Sequence, residues 1–183
     1  MIIMIEVAVM AGLALILSYV KFGALWAMGG SISLIMVPIF IITFRRGWKV
    51  GVVTGLLVGL LNLSTGGTVV HPVQLVLDYP LAYLVLGFAG LFISKKVAIP
   101  KIPTLIAGLL FATILRLASH FLSGVIWFGI YTPEGFNVAL YSLLYNSSYL
   151  FPEMLLTLAI LILLAKSYPQ FLKGSRYNQG IAQ

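Results

Sequence analysis

Apolar residues run along this chain in long stretches, broken by short clusters of glycine, proline and basic residues. The stretches are too long and too many for the core of a soluble domain. They predict an all-α, polytopic membrane protein. Six transmembrane helices are expected, at about 3–20, 33–44, 48–64, 72–94, 103–123 and 137–165. The second is short for a full crossing, and is either tilted or continued by the 26–32 loop. Pro72, Pro100, Pro103 and Pro133 fall near helix starts or in connections, where proline is tolerated. The first stretch, Ile2 to Val20, has no basic segment before it and no cleavage site, so it reads as a retained helix. From about residue 167 the chain turns polar, which predicts an amphipathic or frayed end without its own fold. No repeat, low-complexity segment or second domain interrupts 1–183, which reads as a single transmembrane domain.

Composition agrees with that pattern: 61% of the residues are hydrophobic and 8% charged, against about a quarter charged in soluble domains. The formal net charge of +7 is a topological signal. With six spans, Arg45, Arg46, Lys49, Lys95, Lys96, Lys101, Lys166, Lys173 and Arg176 all fall on one side, and Lys21 alone lies in a loop on the other. The positive-inside rule then places both termini in the cytoplasm. The charges are divided among short loops and form no stripe, so no nucleic-acid partner is expected. There is no cysteine, hence no disulfide framework. Phosphate loop, HExxH, metal-ligand cluster and nucleophile elbow are all missing, so neither a metal, a cofactor nor a catalytic residue is assigned.

Against this background one segment stands apart. Arg116 to Glu153 gathers an arginine, a histidine, two glutamates, two asparagines, a tryptophan and four tyrosines. A charge at membrane depth costs roughly 2.5–3.5 kcal/mol on insertion scales, which points to use. Arg116 and His120 share a helical face by their i, i+4 spacing, and Tyr141, Tyr145, Tyr149 and Glu153 follow the same spacing on the last span. Asn146 lies on an adjoining face. Glu134 sits in the intervening loop, and Asp78 about two turns into the fourth span. Plainer readings exist for each. Tyrosine and tryptophan form interfacial belts, Arg116 snorkels outward or pairs with Asp78, His120 and Glu153 bond neighbouring helices, and Glu6 is interfacial. A lipid belt, however, has no use for Asp, His, Asn and Arg together. Carboxylates, aromatic rings and an amide favour a flat, hydrogen-bonding, cationic heterocycle. On the first span, Ala8 and Gly12 have small-xxx-small spacing, open to either packing inside the monomer or docking of a membrane partner.

The order of local motifs is similar to that of a known family. WAMGGSISLIMVPI (Trp26 to Ile39), LDYPLAY (Leu77 to Tyr83), HFLSGVIWFG (His120 to Gly129), YTPEG (Tyr131 to Gly135) and YSLLYNSSYLFPE (Tyr141 to Glu153) resemble the thiamine-specific substrate-binding (S) components of energy-coupling-factor (ECF) vitamin transporters. The resemblance implies a multi-pass protein of a prokaryotic plasma membrane that binds thiamine near the outer face. It further implies assembly with a transmembrane coupling subunit and two cytoplasmic ATPases. It puts Trp26 on a loop closing over the ligand, and matches Asp78, Tyr79, His120, Gly124, Tyr141 and Asn146 to pocket positions. It leaves Trp127 and Phe128 to share one stacking position, since the family's familiar order is Phe before Trp. It matches Ala8-xxx-Gly12 to a docking motif. Competing readings are an S component for riboflavin or biotin, a small intramembrane enzyme using Glu134, His120 and Glu153, and a self-sufficient secondary transporter.

Overall fold

The structure, a computed structural model, describes residues 1–22, 26, 30–94 and 98–174. Ala27, Met28, Gly29, Lys95, Lys96 and Arg176, which entered the reading of motifs and topology, lie outside the described residues. Helices make up the described fold: α1 (Ile2–Ser18), α2 (Met36–Arg46), α3 (Trp48–Ser64), α4 (Pro72–Phe92), α5 (Ile102–Trp127) and α6 (Val138–Ser167). Among the described residues the only β-type pairing is an isolated bridge, in which Phe22 N–H donates to Ile32 O at 2.8 Å.

Length separates these helices. At 21, 26 and 30 residues, α4, α5 and α6 are long and apolar enough to cross a membrane, whereas α1 and α3 are shorter apolar helices. The second predicted span becomes an 11-residue helix whose residues Met36 to Phe44 are all buried. Residues 30–35, which lead into it, are non-helical. At this length the helix is short for a straight crossing, and Met36 to Phe44 are enclosed by the helices around it. Ile39, Phe40 and Phe44 form the heart of the core with Leu86, Leu105, Leu109 and Leu161.

One end of the bundle is bound by charge and by the chain's tail. Glu6 accepts from Arg46 Nε and Nη2, both at 2.5 Å, and pairs with Arg45 at 3.3 Å. Glu6 is therefore not simply interfacial; it ties α1 to the end of α2. The described start of the tail, up to residue 174, is anchored to the bundle. After α6 a 3₁₀ turn (Pro169–Leu172) packs on α2, Leu172 is fully buried, and Gly174 N–H donates to Ala98 O at 2.8 Å. A single leucine among polar neighbours carries no periodicity, so this anchor is invisible to pattern reading.

α4 is the least regular helix. Pro80 can donate no backbone hydrogen bond and crowds the preceding turn, and the helix widens into a π turn over Leu77–Leu81 before tightening to 3₁₀ over Val85–Phe92. Ser119 of α5 donates its hydroxyl to Leu77 O at 2.6 Å, satisfying a carbonyl at the widened turn. Behind that turn lies Gly59 of α3. A side-chain carbon there would stand 2.5 Å from Tyr79 O, so only glycine lets α3 support α4 at this level.

Candidate functional site

At the end opposite the Glu6 cluster the helices splay around a cavity of about 670 Å³, within the range of roughly 300–1,000 Å³ typical of small-ligand sites. Its walls come from the end of α1, described parts of the 26–35 segment, the α3–α4 loop, and the facing sides of α4, α5 and α6.

Asp78 is the most elaborated group in it. The π turn presents its side chain, still 17% exposed, between α4 and α5. Oδ2 accepts from Gln74 Nε2 at 2.7 Å and from Ser123 Oγ at 2.6 Å, while Oδ1 meets His120 Nδ1 at 3.0 Å. With donors on both oxygens, the arrangement suits a carboxylate. If His120 donates from Nδ1, its Nε2 is an acceptor; that atom is buried with no partner in the protein, leaving it for a ligand N–H.

Aromatic rings line the facing side. Tyr149, 5% exposed, lies edge-on to Trp26, His120 and Tyr145, with centroids 5.9, 6.2 and 6.3 Å away. Trp26 also donates its indole N–H to Ser148 Oγ at 2.7 Å. Gly30, at φ +105°, lies against the Tyr149 ring, whose nearest carbon would be 2.7 Å from any side-chain carbon there; the left-handed backbone and the contact both require glycine. Asn146 spends its amide within the fold: Nδ2 donates to Ser142 O at 2.9 Å, and Oδ1 accepts from Tyr149 OH at 2.7 Å. It holds Tyr149 in place as well as lining the cavity.

Deeper in the cavity is a buried ion pair. Arg116 Nη1 stands 3.0 Å from Glu153 Oε2, with side chains 5% and 1% exposed. Ser33 donates to Glu153 Oε1 at 2.8 Å, and the Arg116 guanidinium lies 4.6 Å above the Tyr83 ring. Arg116 thus pairs with Glu153 and not with Asp78, which its helix-mate His120 engages instead.

Trp26, Asp78, Tyr79, His120, Gly124, Phe128, Tyr141 and Asn146 all line the cavity. Trp127 does not. It stacks on His71 at 5.1 Å, and Phe128, the residue just past the end of α5, carries the ring on the lining. Successive helical residues point about 100° apart, so one of two adjacent rings faces in and the other faces the α4 cap. Glu134 is exposed in its loop and outside the lining. Gln74, Ser123, Ser33 and Ser148 escaped sequence reading, because serines and glutamines in apolar helices look like ordinary interhelical glue. The Gly51-xxx-Gly55-xxx-Gly59 ridge could have been found by the spacing already noted on α1.

On α1, Val7, Ala11, Ala14 and Ser18 face the interior. Ala8 is exposed, and a side-chain carbon at Gly12 would meet no atom within 4 Å. Packing inside the monomer does not require these two to be small.

Residues 4–173 match the family described as Thiamine transporter protein (Thia_YuaJ). The chain is 39% identical to the thiamine transporter ThiT of Bacillus subtilis (strain 168), over 94% of this chain and 95% of that one. It is 29% identical to the thiamine transporter ThiT of Lacticaseibacillus paracasei, over 93% and 90% of the two chains. A solved structure of ThiT from Listeria monocytogenes superposes with a TM-score of 0.82 at 28% identity, covering 93% of this chain and 97% of that one.

Proposed function

The chain belongs to the thiamine transporter protein family, whose role is transport and not catalysis, and from that premise we propose that it is the thiamine-binding S component of an ECF-type uptake system. In this reading the single domain crosses a prokaryotic plasma membrane six times, with both termini in the cytoplasm. The cavity then opens outward and the Glu6–Arg46 end faces in.

The observation that carries the reading is the Asp78 carboxylate, held by three side chains at the wall of an aromatic cavity of about 670 Å³. Thiamine pairs a permanent cation with a hydrogen-bonding aminopyrimidine. Asp78 supplies the counter-charge, His120 Nε2 accepts from the amino group, and Phe128 and Tyr141 offer ring faces, each worth about 0.5–2 kcal/mol to a cation. Tyr79, Gly124 and Asn146 complete the walls, and Trp26 closes the mouth. Isothermal titration of the purified chain is expected to show saturable, one-to-one thiamine binding in the absence of any ATPase. No heat with thiamine but saturable binding of riboflavin or biotin would transfer the assignment to another vitamin.

Transport energy would come from two cytoplasmic ATPases through a membrane coupling subunit, with Ala8 and Gly12 as the docking face. Their small, outward-facing surface allows a partner helix to approach closely. Beside them Ile3, Met4 and Val7 of α1 and Val50, Val53 and Leu57 of α3 line an apolar groove. Gly12→Trp projects into open space, so thiamine affinity is expected to stay within about threefold of wild type. ATP-driven uptake by the assembled complex is expected to fall to background. Loss of binding in the isolated variant, or undiminished uptake, would argue against docking here.

A further inference from the structure

We propose that Gln74 is a positioning residue for ligand binding: it aims the Asp78 carboxylate and joins it to the loop between α3 and α4. The inference rests on the reading of Asp78 as the ligand's counter-charge.

Gln74 is 1% exposed although it borders the cavity. Its amide has strong capacity for two donated bonds and at least one accepted bond, and the fold uses each. Nε2 donates to Asp78 Oδ2 at 2.7 Å and to Thr68 O at 3.1 Å, and Oε1 accepts from Val70 N–H at 3.0 Å. The partners determine the amide's orientation, because the reversed amide would set its oxygen against a carboxylate and a carbonyl. Both donor hydrogens are thus committed within the fold, so Gln74 acts on a ligand through Asp78 and through the loop.

Its place in α4 explains the need for it. Gln74 lies in the regular first turns, and Asp78 lies in the π turn that Pro80 accompanies. Across that change of pitch the backbone alone fixes the carboxylate's direction less firmly than within a continuous α-helix. The Gln74 bond spans the junction, and Ser123 holds the same oxygen from α5 at 2.6 Å. Thr68 O also accepts from Tyr79 OH at 3.4 Å. The loop at the cavity's rim and the carboxylate at its wall therefore share one hydrogen-bonded unit, with Gln74 at its centre.

A purely structural role would also lower affinity on substitution, so the test is a double-mutant cycle. Thiamine binding is titrated, up to millimolar ligand, for wild type, Gln74→Met, Asp78→Asn and the double variant. Gln74→Met is expected to weaken binding about 10- to 100-fold in the wild-type background and less than about threefold in the Asp78→Asn background. Equal losses in both backgrounds, or no loss in the wild-type background, overturn the positioning role while leaving Asp78 as the counter-charge. An Asp78→Asn protein that binds like wild type overturns the counter-charge reading itself. If Asp78→Asn binds too weakly to titrate, Ser123→Ala replaces it. Non-additivity greater than about threefold with Gln74→Met then supports coupling through the shared oxygen, and additivity overturns it. If Gln74→Met does not purify folded, Gln74→Glu, which keeps an acceptor for Val70 N–H, enters the same cycle.

Discussion

Asp78→Asn is expected to weaken thiamine binding by about 30-fold to several thousand-fold. Breaking one side of a hydrogen-bonded charge pair costs about 2–5 kcal/mol, at about 1.4 kcal/mol per tenfold. Two effects add. The permanent cation loses its counter-charge, and the site's own hydrogen bonding fails. Oδ2 of Asp78 accepts from Gln74 and Ser123 while Oδ1 meets His120. Asparagine has one oxygen for these two roles. Turned toward Gln74 and Ser123, it aims its NH₂ at His120 Nδ1, forces the ring to the other tautomer, and makes Nε2 a donor where the ligand's amino group needs an acceptor. Turned the other way, it sets NH₂ against two donors. Glu153→Gln is expected to weaken binding much less, because the Glu153 oxygens serve Arg116 and Ser33. Calorimetric titration of both variants checks the order. Asp78→Asn within threefold of wild type, or Glu153→Gln the worse of the two, would remove Asp78 from its role.

How much of this was open to sequence reading depended on the physical signal. Long apolar runs located α1 and α3–α6 closely, because one-dimensional hydrophobicity is what lipid or a buried core selects. The same signal could not show that protein sheathes α2, since Ile39 and Phe40 are apolar whether lipid or protein surrounds them. Motif order gathered Asp78 and His120 with one ring of the Trp127–Phe128 pair, yet it gave no account of what holds them. Gln74 and Ser123 are chemically ordinary in sequence, and their importance lies in distances between α4 and α5 that no local pattern encodes. The choice between Trp127 and Phe128 stayed open for a similar reason: adjacent aromatic rings on a helix end are separated by rotation, which sequence does not orient. The anchoring of residues 169–174 was hidden because it rests on a single residue, Leu172, whose burial depends on a turn that folds back onto α2.

The ion pair at the base of the cavity should behave oppositely to Asp78, governing stability before affinity. Glu153→Leu leaves the Arg116 guanidinium, on a residue 4% exposed, without its carboxylate. The expected loss of unfolding free energy is about 3–5 kcal/mol, the usual consequence of stranding one buried charge. The Tyr83 ring at 4.6 Å offsets part of this, since a desolvated cation–π contact contributes about 2 kcal/mol or more. Removing both charges is different. Arg116→Met with Glu153→Leu replaces two desolvated ions by apolar side chains, an exchange that is often neutral or stabilising by about 1–4 kcal/mol. The double variant is therefore expected to regain most of the stability the single one lost, as read by unfolding in detergent. Ser33 gives the pair a second consequence: its hydroxyl reaches Glu153 from the segment that also bears Trp26. Even the restored double variant should then hold that segment less firmly and release thiamine faster than wild type. A double variant as unstable as Glu153→Leu alone would mean that the site needs these charges for its architecture. Wild-type release from a stable double variant would mean that the Ser33 bond does not restrain the mouth.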